Sequence, residues 1–572
     1  MKVFEAIGAR LAEERVRHVF GLMGDGNLKL IPHLVGARGI EVIGARHESG
    51  AVAMADGYAR ASGEVGVATF TQGPGLTNAL TALVTAQRGR TPLVVLSGNT
   101  PTAVRGLPQD IDQAPFWAAA GIEVQPWTPA TAEAAVAEAF RRARAERRPI
   151  ALDLPTDLQE AEAGGDPVPH LAPAPPRPQP AEADLDAAVA AIAAARRPVV
   201  IAGRGAVAAG ARADLVALAD HVGALLATSL PATGWFAGHP FAVGIAGGFA
   251  SELGRRLLGE ADCVIAFGAS LNHFTTRGGT LLAPGTPIVQ VDVDRGAFGR
   301  YVPTAVGIVG DAGPTARALR ARLAPSDGAR SESLAAEIAR AGMAATGGAA
   351  NGGGSAAGGA ATGGATNRTA SAGPLPDESG PDGIDPRALS RAVARLLPAD
   401  RTLVVDGGHF MGFPSMEIPV SEPSRYVFTL DFGSIGLGLG AAVGAAVAHP
   451  GRVTVAAIGD GGLMMSLGEL DSAVRRRLPI VVLVYNDEAF GAEMHFLRMS
   501  GIDDGESRFA TPPLDAVARA MGARAHAISD LAQLDGLRDE LTSLDGPLLL
   551  DCRITDRVRA VWLEEAFQRG TH

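Results

Sequence analysis

Two aspartates, each placed directly after a short apolar run, are the residues of this chain that most clearly predict chemistry. Asp460 follows residues 453–458 within the tetrapeptide Gly-Asp-Gly-Gly, and Asp487 follows residues 479–484, twenty-seven positions further along the chain. Carboxylates suit Mg²⁺, which prefers oxygen ligands, and the backbone N–H groups of a glycine-rich turn can hold phosphate oxygens. The pattern therefore indicates a site for Mg²⁺ and a phosphorylated ligand.

The segment between the two aspartates is predicted to be a helix that crosses over between two parallel strands. Both apolar runs are typical of buried strands, and large apolar residues recur between them at helical spacing, namely Leu467, Leu470, Val474 and Leu478. In such a βαβ unit the two strands are parallel neighbours, and ligands bind at their carboxyl ends. We therefore expect Asp460 and Asp487 to stand side by side.

This part of the chain resembles the thiamine diphosphate motif of the acetolactate synthase and pyruvate decarboxylase superfamily. The residues that carry the resemblance are Gly459, Asp460, Gly461, Gly462, Asn486 and Asp487. The resemblance implies that Mg²⁺ is held by the two aspartate side chains and by the backbone carbonyl of Ala489. It also implies that the glycines and Asn486 border the cofactor, with Asn486 shaping the turn.

A second segment, near the beginning of the chain, carries a glutamate at the start of a predicted helix. Residues 40–46 are typical of a strand, and residues 47–60 of a helix whose first turn contains Glu48. The segment is similar, almost residue for residue, to the cofactor-activating segment of the same superfamily. There the glutamate binds N1′ of the aminopyrimidine and favours the imino tautomer that removes the C2 proton, which requires a carboxyl group in a largely apolar cleft. A surface glutamate favoured by the helix macrodipole is the alternative, and the two aspartates in the same chain argue against it.

Three further segments match the superfamily in the same order along the chain. They are the turn 71–78 after a predicted strand 65–70, the loop 405–409, and the segment 430–438. The resemblance implies that the backbone of the first turn approaches the cofactor closely, at Gly73, Gly75 and Asn78. It implies that Gly408 and His409 of the loop lie near the diphosphate. In the third segment it implies that the carbonyl of Gly433 accepts from the 4′-amino group and that Ile435 is the aliphatic wedge that bends the cofactor.

Two acidic residues are candidates for deciding the fate of the substrate. Residues 21–28 resemble the pyruvate decarboxylase loop that brings an aspartate to the reacting centre, which here is Asp25. Glu493 stands six residues after Asp487, at the position of that enzyme's catalytic glutamate. An acid placed there could protonate the carbanion left after decarboxylation and release an aldehyde. The alternatives are a turn or N-cap residue for Asp25 and a solvated helix face for Glu493.

Other positions differ from both enzymes that give the superfamily its name. The paired histidines of pyruvate decarboxylase have no counterpart, and residues 107–112, which include Gln109 as a catalytic candidate, are closer to the Phe-Gln-Glu segment of acetolactate synthase. Residues 268–274 lack the arginine with which that synthase binds the carboxylate of its second substrate. Phe496 takes the place of its acceptor-selecting tryptophan, in a stretch that also resembles benzaldehyde lyase, although His495 and Phe496 could equally be packing residues. An acceptor without a carboxylate, such as an aldehyde, fits this pattern better than a second 2-oxo acid.

Three functions are consistent with the sequence. We favour an acetolactate synthase-like enzyme that decarboxylates a 2-oxo acid and transfers the carbanion to an acceptor or to a proton. The second is a lyase of the benzaldehyde lyase type, which cleaves a 2-hydroxy ketone or a 2-hydroxyacyl compound without loss of CO₂. The third is a non-catalytic paralogue that binds thiamine diphosphate as a regulatory or structural subunit, and the intact Glu48 argues against it.

The 572 residues are too many for one core and predict an α/β protein with three doubly wound parallel-sheet domains. The predicted domains are an aminopyrimidine-binding domain over 1–163, a central domain over 183–326 and a diphosphate-binding domain over 384–562. A proline-rich linker over 164–182 and a disordered linker rich in glycine and alanine over 344–383 separate them.

Charge and composition limit the classes of partner and the cellular location that the sequence predicts. The net charge of −11 is dispersed along the chain, which indicates neither nucleic acid nor an anionic membrane as a partner. The two cysteines are predicted to be buried thiols of a reducing compartment. Because no apolar stretch reaches the length of a membrane span and no leader-like pattern occurs, we expect a cytoplasmic location. The resemblance implies a homodimer or homotetramer, since Glu48 and the Asp460 site that share one cofactor come from different subunits there. FAD in the central domain is left open, without a motif that supports it.

Overall fold

The computed structural model describes residues 1–164, 177–346 and 376–563 of the chain. Over these residues the strands form three six-stranded sheets in which all neighbouring strands are parallel. The first sheet contains β1 His18–Gly21, β2 Glu41–Gly44, β3 Gly66–Phe70, β4 Leu93–Asn99, β5 Glu123–Val124 and β6 Pro149–Pro155. The second contains β7 Pro198–Ala202, β8 Leu225–Thr228, β9 Ala242–Ile245, β10 Cys263–Phe267, β11 Ile288–Asp292 and β12 Val306–Val309. The third contains β13 Arg401–Val405, β14 Tyr426–Phe428, β15 Val453–Gly459, β16 Ile480–Asn486, β17 Arg524–Ile528 and β18 Leu548–Arg553.

The first and third sheets share one strand order, and the central sheet has another. The orders are β2-β1-β3-β4-β6-β5, β12-β11-β10-β7-β8-β9 and β14-β13-β15-β16-β18-β17. Parallel neighbours need crossover connections, and the helices that follow most strands supply them. The predicted fold class, three doubly wound parallel sheets, is confirmed. Most of the two predicted linkers, 164–182 and 344–383, lies outside the described residues, and the domain boundaries drawn around them stay predictions.

The α-helices of the described residues lie between and around these strands. The first sheet is accompanied by α1 Val3–Glu13, α2 Leu30–Arg38, α3 Glu48–Ser62, α4 Pro74–Arg88, α5 Ala114–Ala119, α6 Ala132–Glu146 and α7 Thr156–Gln159. The central part of the chain contains α8 Glu182–Ala193, α9 Arg204–Ala208, α10 Arg212–Val222, α11 Glu252–Gly259, α12 Ala312–Arg322 and α13 Glu332–Thr346. The third contains α14 Pro386–Leu396, α15 Gly412–Glu417, α16 Gly438–Ala448, α17 Asp460–Ser466, α18 Glu469–Arg475, α19 Gly491–Met499, α20 Leu514–Ala520 and α21 Arg538–Thr542.

The crossover between β15 and β16 differs from the single helix that the sequence predicts. It consists of two short helices, α17 and α18, which meet at Leu467 and Gly468. Glycine weakens a helix at this junction, and the close approach of Arg46, whose Cβ lies 3.1 Å from the position of a Cβ on Gly468, explains why no side chain stands there. The break makes Glu469 the first residue of α18.

Helix α3 joins the first and third sheets by packing against α16. A Cβ on Gly57 would lie 2.1 Å from the carbonyl oxygen of Ala441, and one on Gly444 would lie 1.8 Å from that of Met54. Only glycine allows two helix backbones to approach this closely. The helix that begins with Glu48 is therefore fixed against the part of the chain that carries Asp460.

Both cysteines are free and buried, as the sequence predicts. Cys263 lies in β10 and Cys552 in β18. Burial raises the pKa of the Cys263 thiol to about 12, with a contribution from the neighbouring Asp262. Such thiols belong to the core. Among the described residues, none of the helices has the length and apolar character needed to span a membrane.

Candidate active site

Asp460 and Asp487 stand at the carboxyl ends of the neighbouring strands β15 and β16. The two strands are in register up to Gly459 and Tyr485, so the aspartates follow at the same edge of the sheet. Both side chains are buried, and neither forms a salt bridge among the described residues. Burial raises the pKa of Asp460 to about 6. Burial and the nearby charge of Asp460 together raise the pKa of Asp487 to about 8.

Each of the two aspartates accepts a hydrogen bond from a neighbouring group. Thr511 Oγ1 donates to Asp460 Oδ2 at 2.8 Å, and the N–H of Ala489 donates to the carboxylate of Asp487. No group of three or more His, Cys, Asp or Glu side chains suited to a metal occurs in residues 1–164, 177–346 and 376–563. Two carboxylates that repel each other in a buried site suit Mg²⁺, which usually takes its further oxygens from water, carbonyls and phosphate. The donor set fits that metal.

Asn486 has a different position from Asp487. Its side chain Nδ2 donates to Asp551 Oδ1 at 2.8 Å, and its Oδ1 accepts from the N–H of Glu488 at 3.1 Å. Asn486 is also the last residue of β16, whereas Asp487 follows the strand. The amide of Asn486 is thus used to shape the turn, and the assignment of the metal to Asp487 stays a prediction.

The glycines of the Gly-Asp-Gly-Gly turn are each approached by a neighbouring group. A Cβ on Gly459 would lie 3.1 Å from the ring of Phe410, one on Gly461 would lie 2.9 Å from the ring of Phe490, and one on Gly462 would lie 2.8 Å from a carboxylate oxygen of Asp406. Because these three residues have no side chains, the neighbouring groups can lie close to the backbone of this turn.

Asp406 is an organising residue that sequence reasoning missed. It lies directly after β13 and is fully buried, and burial raises the pKa of its carboxyl group. It accepts from the N–H of Gly436 at 2.8 Å and from Thr429 Oγ1 at 3.0 Å. These bonds tie the segment before α16 to the end of β13. Its position after a strand is only a weak sign of this role in the sequence, because its hydrogen-bonding partners lie more than twenty residues away.

Ile435 lies in this tied segment, between two glycines in the left-handed region. Gly433 has φ +90° and Gly436 has φ +84°, and Ile435 itself is half-buried. Its Cγ2 lies 3.1 Å from the position of a Cβ on Gly407. At the start of the segment the carboxylate of Asp431 binds Nη1 of the partly buried Arg60 on α3 at 2.7 Å. The aliphatic side chain is thus held at a fixed place relative to both sheets.

His409 presents a buried donor without a partner among the described residues. Its Nε2 accepts from the N–H of Ala560 at 3.1 Å, which assigns the ring proton to Nδ1. Nδ1 is buried and unpartnered. Burial, and then the nearby His495 ring at 4.2 Å, lowers the pKa of His409 well below its usual value, so the ring is neutral. A buried donor left unpaired costs about 1 to 3 kcal/mol, which an acceptor such as a phosphate oxygen would recover. Gly408, before it, has φ +143°.

Glu48 is the first residue of α3 and is buried, with His47 as the N-cap residue. Asn78 Nδ2 donates to Glu48 Oε2 at 3.0 Å, and Ser49 Oγ donates to the carbonyl of Asn78 at 2.5 Å. The structure therefore brings two predicted site residues, Glu48 and Asn78, into direct contact. No hydrogen bond or ion pair of the described residues joins Glu48 to Asp460 or Asp487.

The turn after β3 is packed against the loop that contains Gln109. Gly73 has φ +59°, and a Cβ on it would lie 2.3 Å from the carbonyl oxygen of Gln109. Gln109 Oε1 accepts from Gln72 Nε2 at 2.8 Å. A Cβ on Gly75 would lie 3.1 Å from Thr71 Cγ2. Because Gly73 and Gly75 have no side chains, neighbouring groups can lie close to the backbone of this turn.

Asp25 and Glu493 are both exposed in the single chain. Asp25 begins a short turn after β1, and the next residue, Gly26, packs against Gln72 and Gly98. Asp25 and the Gln109 loop therefore lie at the same edge of the first sheet, where β1, β3 and β4 end. Glu493 lies in the first turn of α19, four residues after the carbonyl of Ala489.

Comparisons with known proteins match this chain to one enzyme family. Models of the thiamine pyrophosphate enzyme family match the chain with their N-terminal TPP binding domain over residues 1–116, their central domain over 185–319 and their C-terminal TPP binding domain over 406–552. The chain is 30% identical to the sulfoacetaldehyde acetyltransferase of Alcaligenes xylosoxydans xylosoxydans, over 89% of this chain and 85% of that protein. It is 27% identical to the acetolactate synthase isozyme 3 large subunit of Escherichia coli K12, over 85% and 82%. The thiamine diphosphate-dependent 4-hydroxybenzoylformate decarboxylase of Rhodococcus jostii RHA1 has the same fold, with a TM-score of 0.77, 22% identity and coverage of 97% and 99%.

Proposed function

Because this chain belongs to the thiamine pyrophosphate enzyme family, we propose that it is a Mg²⁺-dependent member that decarboxylates a 2-oxo acid and passes the remaining acyl fragment to an acceptor or to a proton. The observation that carries the proposal is the buried pair Asp460 and Asp487, which lies at the end of two parallel strands and has no basic partner among the described residues. Relatives that include an acetyltransferase and a synthase support the reaction class.

We propose that the chain holds the cofactor mainly through its diphosphate. Asp460, Asp487 and the carbonyl of Ala489 would bind Mg²⁺, which neutralises phosphate charge. The Nδ1–H of His409 and the glycine-rich backbones at Gly408 and Gly461 would face phosphate oxygens. Ile435, between two left-handed glycines, would act as the wedge, and the carbonyl of Gly433 would accept from the 4′-amino group.

When bound, thiamine diphosphate supplies a nucleophilic carbon that adds to a carbonyl and takes up the electron pair released when the adjacent bond breaks. Glu48 would hold a proton at N1′ of the aminopyrimidine, in the buried position that it occupies. Asn78 donates to one oxygen of Glu48 and so fixes its orientation. Asp25, Gln109 and Glu493 are proposed to contact the substrate.

We propose an aldehyde, or another acceptor without a carboxylate, as the second substrate. No lysine or arginine occurs in residues 268–274, where the resemblance would place the carboxylate-binding arginine. Phe274 packs edge-on against Phe249, with ring centroids 4.7 Å apart, and Leu271 is buried. The segment therefore offers no lysine or arginine side chain for a carboxylate, which favours an uncharged acceptor.

We propose that two copies of the chain form the working enzyme. Large apolar side chains between 39% and 65% exposed lie on the segments that carry Ile435, Asp460 and Asp487, namely Phe432, Met464, Met465 and Phe490. Exposed apolar groups gathered around a polar site are typical of a surface that another chain covers. In such a dimer, Glu48 of one subunit would serve the Asp460 site of its partner.

The proposed function is tested by product analysis. The purified protein, loaded with thiamine diphosphate and Mg²⁺, is incubated with a panel of 2-oxo acids, aldehydes and 2-hydroxy ketones, and the products are identified by mass spectrometry. We expect CO₂ release from at least one 2-oxo acid and, with added aldehyde, a 2-hydroxy ketone; the Asp460→Ala variant should give neither. Cleavage of 2-hydroxy ketones without turnover of any 2-oxo acid would replace decarboxylation by a lyase reaction.

A further inference from the structure

Glu469 is a buried carboxylate that serves neither the metal site nor the diphosphate loop. It is the first residue of α18 and is only 2% exposed. Its carboxylate accepts from the backbone N–H of Arg46 at 3.0 and 3.2 Å and from that of His47 at 3.1 Å. The side chain thus reaches from the third sheet's helices to the backbone in front of α3.

The two N–H groups that Glu469 binds belong to the residues immediately before Glu48. Helix α3 begins at Glu48, so the carboxylate lies at the helix N-terminus, where negative charge is favourable. The hydroxyl of Ser472 lies 3.0 Å from this carboxylate and 2.8 Å from the carbonyl of Gly44. One carboxylate therefore fixes the path of the backbone from the end of β2 into α3.

Gly50 makes this contact sterically feasible. A Cβ on Gly50 would lie 2.0 Å from Oε1 of Glu469. Any side chain at position 50 would displace the carboxylate from the N–H groups of Arg46 and His47. A glycine inside a helix is unfavourable by about 1 kcal/mol relative to alanine. The contact with Glu469 explains why a glycine nevertheless occupies position 50.

The same region holds a second acidic contact that provides a matched control. Asp471, two residues further along α18, binds the guanidinium of Arg46, with Nε to Oδ2 at 2.5 Å. This ion pair is partly exposed, and it contacts the side chain of Arg46 and not its backbone. Removal of Asp471 would weaken the domain contact without freeing the two N–H groups.

We infer that Glu469 is the positioning residue for Glu48: it holds the backbone N–H groups of Arg46 and His47 and thereby sets where the Glu48 carboxyl group stands. The inference rests on the proposed role of Glu48 as cofactor activator. Among the described residues the Glu48 side chain has one hydrogen-bonding partner, Asn78, so its placement depends on the start of α3. A displacement of about 1 Å at a reacting group can reduce a rate by about 100-fold.

The first test uses the cofactor-free protein and hydrogen exchange read by mass spectrometry. Glu469→Gln leaves one oxygen for both N–H groups and removes the charge that strengthens those bonds. We expect the amides of Arg46 and His47 to exchange at least about tenfold faster in this variant, because local opening requires less free energy. In Asp471→Asn they should exchange within about twofold of wild type, since a partly exposed ion pair contributes little.

The second test measures hydrogen–deuterium exchange at C2 of bound thiamine diphosphate by NMR. We expect Glu469→Gln to slow this exchange about 10- to 100-fold while changing the cofactor Kd less than about threefold, because the metal and diphosphate contacts are intact. Gly50→Ala, which displaces the same carboxylate from the other side, should have the same effect. Glu48→Gln combined with Glu469→Gln should be no slower than Glu48→Gln alone, since both act through one group.

The outcomes separate this inference from the proposed function. If Glu48→Gln slows C2 exchange and Glu469→Gln leaves it at the wild-type rate, Glu469 does not position Glu48. A parallel loss of C2 exchange, cofactor affinity and thermal stability, matched by Asp471→Asn, would reduce Glu469 to a domain contact and overturn the inference as well. If Glu48→Gln itself leaves C2 exchange unchanged, the proposed activator role is wrong and the inference falls with it.

Discussion

The pair Asp460 and Asp487 predicts an unusual pH dependence of stability for the cofactor-free protein. In the folded chain the pKa of Asp487 is raised to about 8 and that of Asp460 to about 6, from an ordinary value of 3.8. Between pH 4 and these values the folded state binds more protons than the unfolded state. The stability that these two carboxyl groups contribute is therefore fully present below about pH 4 and is lost as the pH rises through about 6 and then about 8.

The size of this pH-dependent change in stability follows mainly from the larger of the two pKa changes, that of Asp487. One pKa unit corresponds to about 1.4 kcal/mol, so the raised pKa of Asp487 is worth on the order of 5 kcal/mol between pH 4 and pH 8. Asp487→Asn keeps the shape of the side chain and removes its charge. We expect this variant to lose most of the pH dependence and to be more stable than wild type at pH 8 without metal.

The assay is thermal unfolding of the cofactor-free protein in EDTA from pH 5 to pH 8.5. Mg²⁺ with thiamine diphosphate should raise the unfolding temperature of wild type more at pH 8 than at pH 5, because metal binding requires ionised carboxylates. Asp487→Asn should show little of this gain, and Asp471→Asn, which removes a partly exposed carboxylate, should behave as wild type. A stability difference between wild type and Asp487→Asn that stays constant from pH 5 to pH 8 in EDTA would refute the reasoning.

Four further predictions address the proposed roles. Glu48→Gln should retain the cofactor and slow C2 proton exchange by about 10² to 10⁴, because an amide cannot accept the N1′ proton; unchanged exchange in NMR would contradict the role. Asp487→Ala should lose the cofactor in equilibrium dialysis and Asn486→Ala should keep it, and the reverse result would move the metal ligand by one residue. Equimolar mixing and full subunit exchange of inactive Glu48→Gln and Asp460→Ala chains should restore about a quarter of wild-type activity, because about half of the dimers are mixed and each of these has one intact site, whereas full activity of a strictly monomeric species in light scattering would exclude shared sites. Glu493→Gln should lower the ratio of aldehyde to 2-hydroxy ketone by at least about tenfold, since it removes the proton donor, and an equal ratio at equal turnover would place Glu493 on a solvated face.

The placement of the two aspartates at the ends of β15 and β16 is predicted well because the relevant information is local in the sequence. The apolar runs before Asp460 and Asp487 are continuous, as expected for strands covered on both faces, and the observed β15 and β16 begin within one residue of the predicted positions. Parallel register then brings the two aspartates to one edge. The single crossover helix is wrong because its apolar spacing continues across the junction at Gly468, where Arg46 from another part of the chain approaches.

Contacts between sequence-distant segments are what the sequence pattern does not reveal. Asp406 binds the N–H of Gly436, and Glu469 binds two N–H groups more than 420 residues away. The sequence around a carboxylate that makes such a contact shows no periodic pattern or motif that would predict it. Its burial and its partners depend on how two separately folded sheets pack, and composition does not encode that packing.

Glycines inside α3 are the one local sign of this packing. Gly50 and Gly57 stand in a helix that is otherwise mostly buried alanine, valine and methionine, where each glycine is unfavourable by about 1 kcal/mol. Each one meets a specific group from the third sheet's region, the carboxylate of Glu469 and the carbonyl of Ala441. Two unfavourable residues, seven positions apart on one helix face, thus mark the line along which the diphosphate-binding part of the chain holds the helix that carries Glu48. Replacing Gly57 by alanine should therefore disturb the same helix as replacing Gly50, but without moving the carboxylate of Glu469.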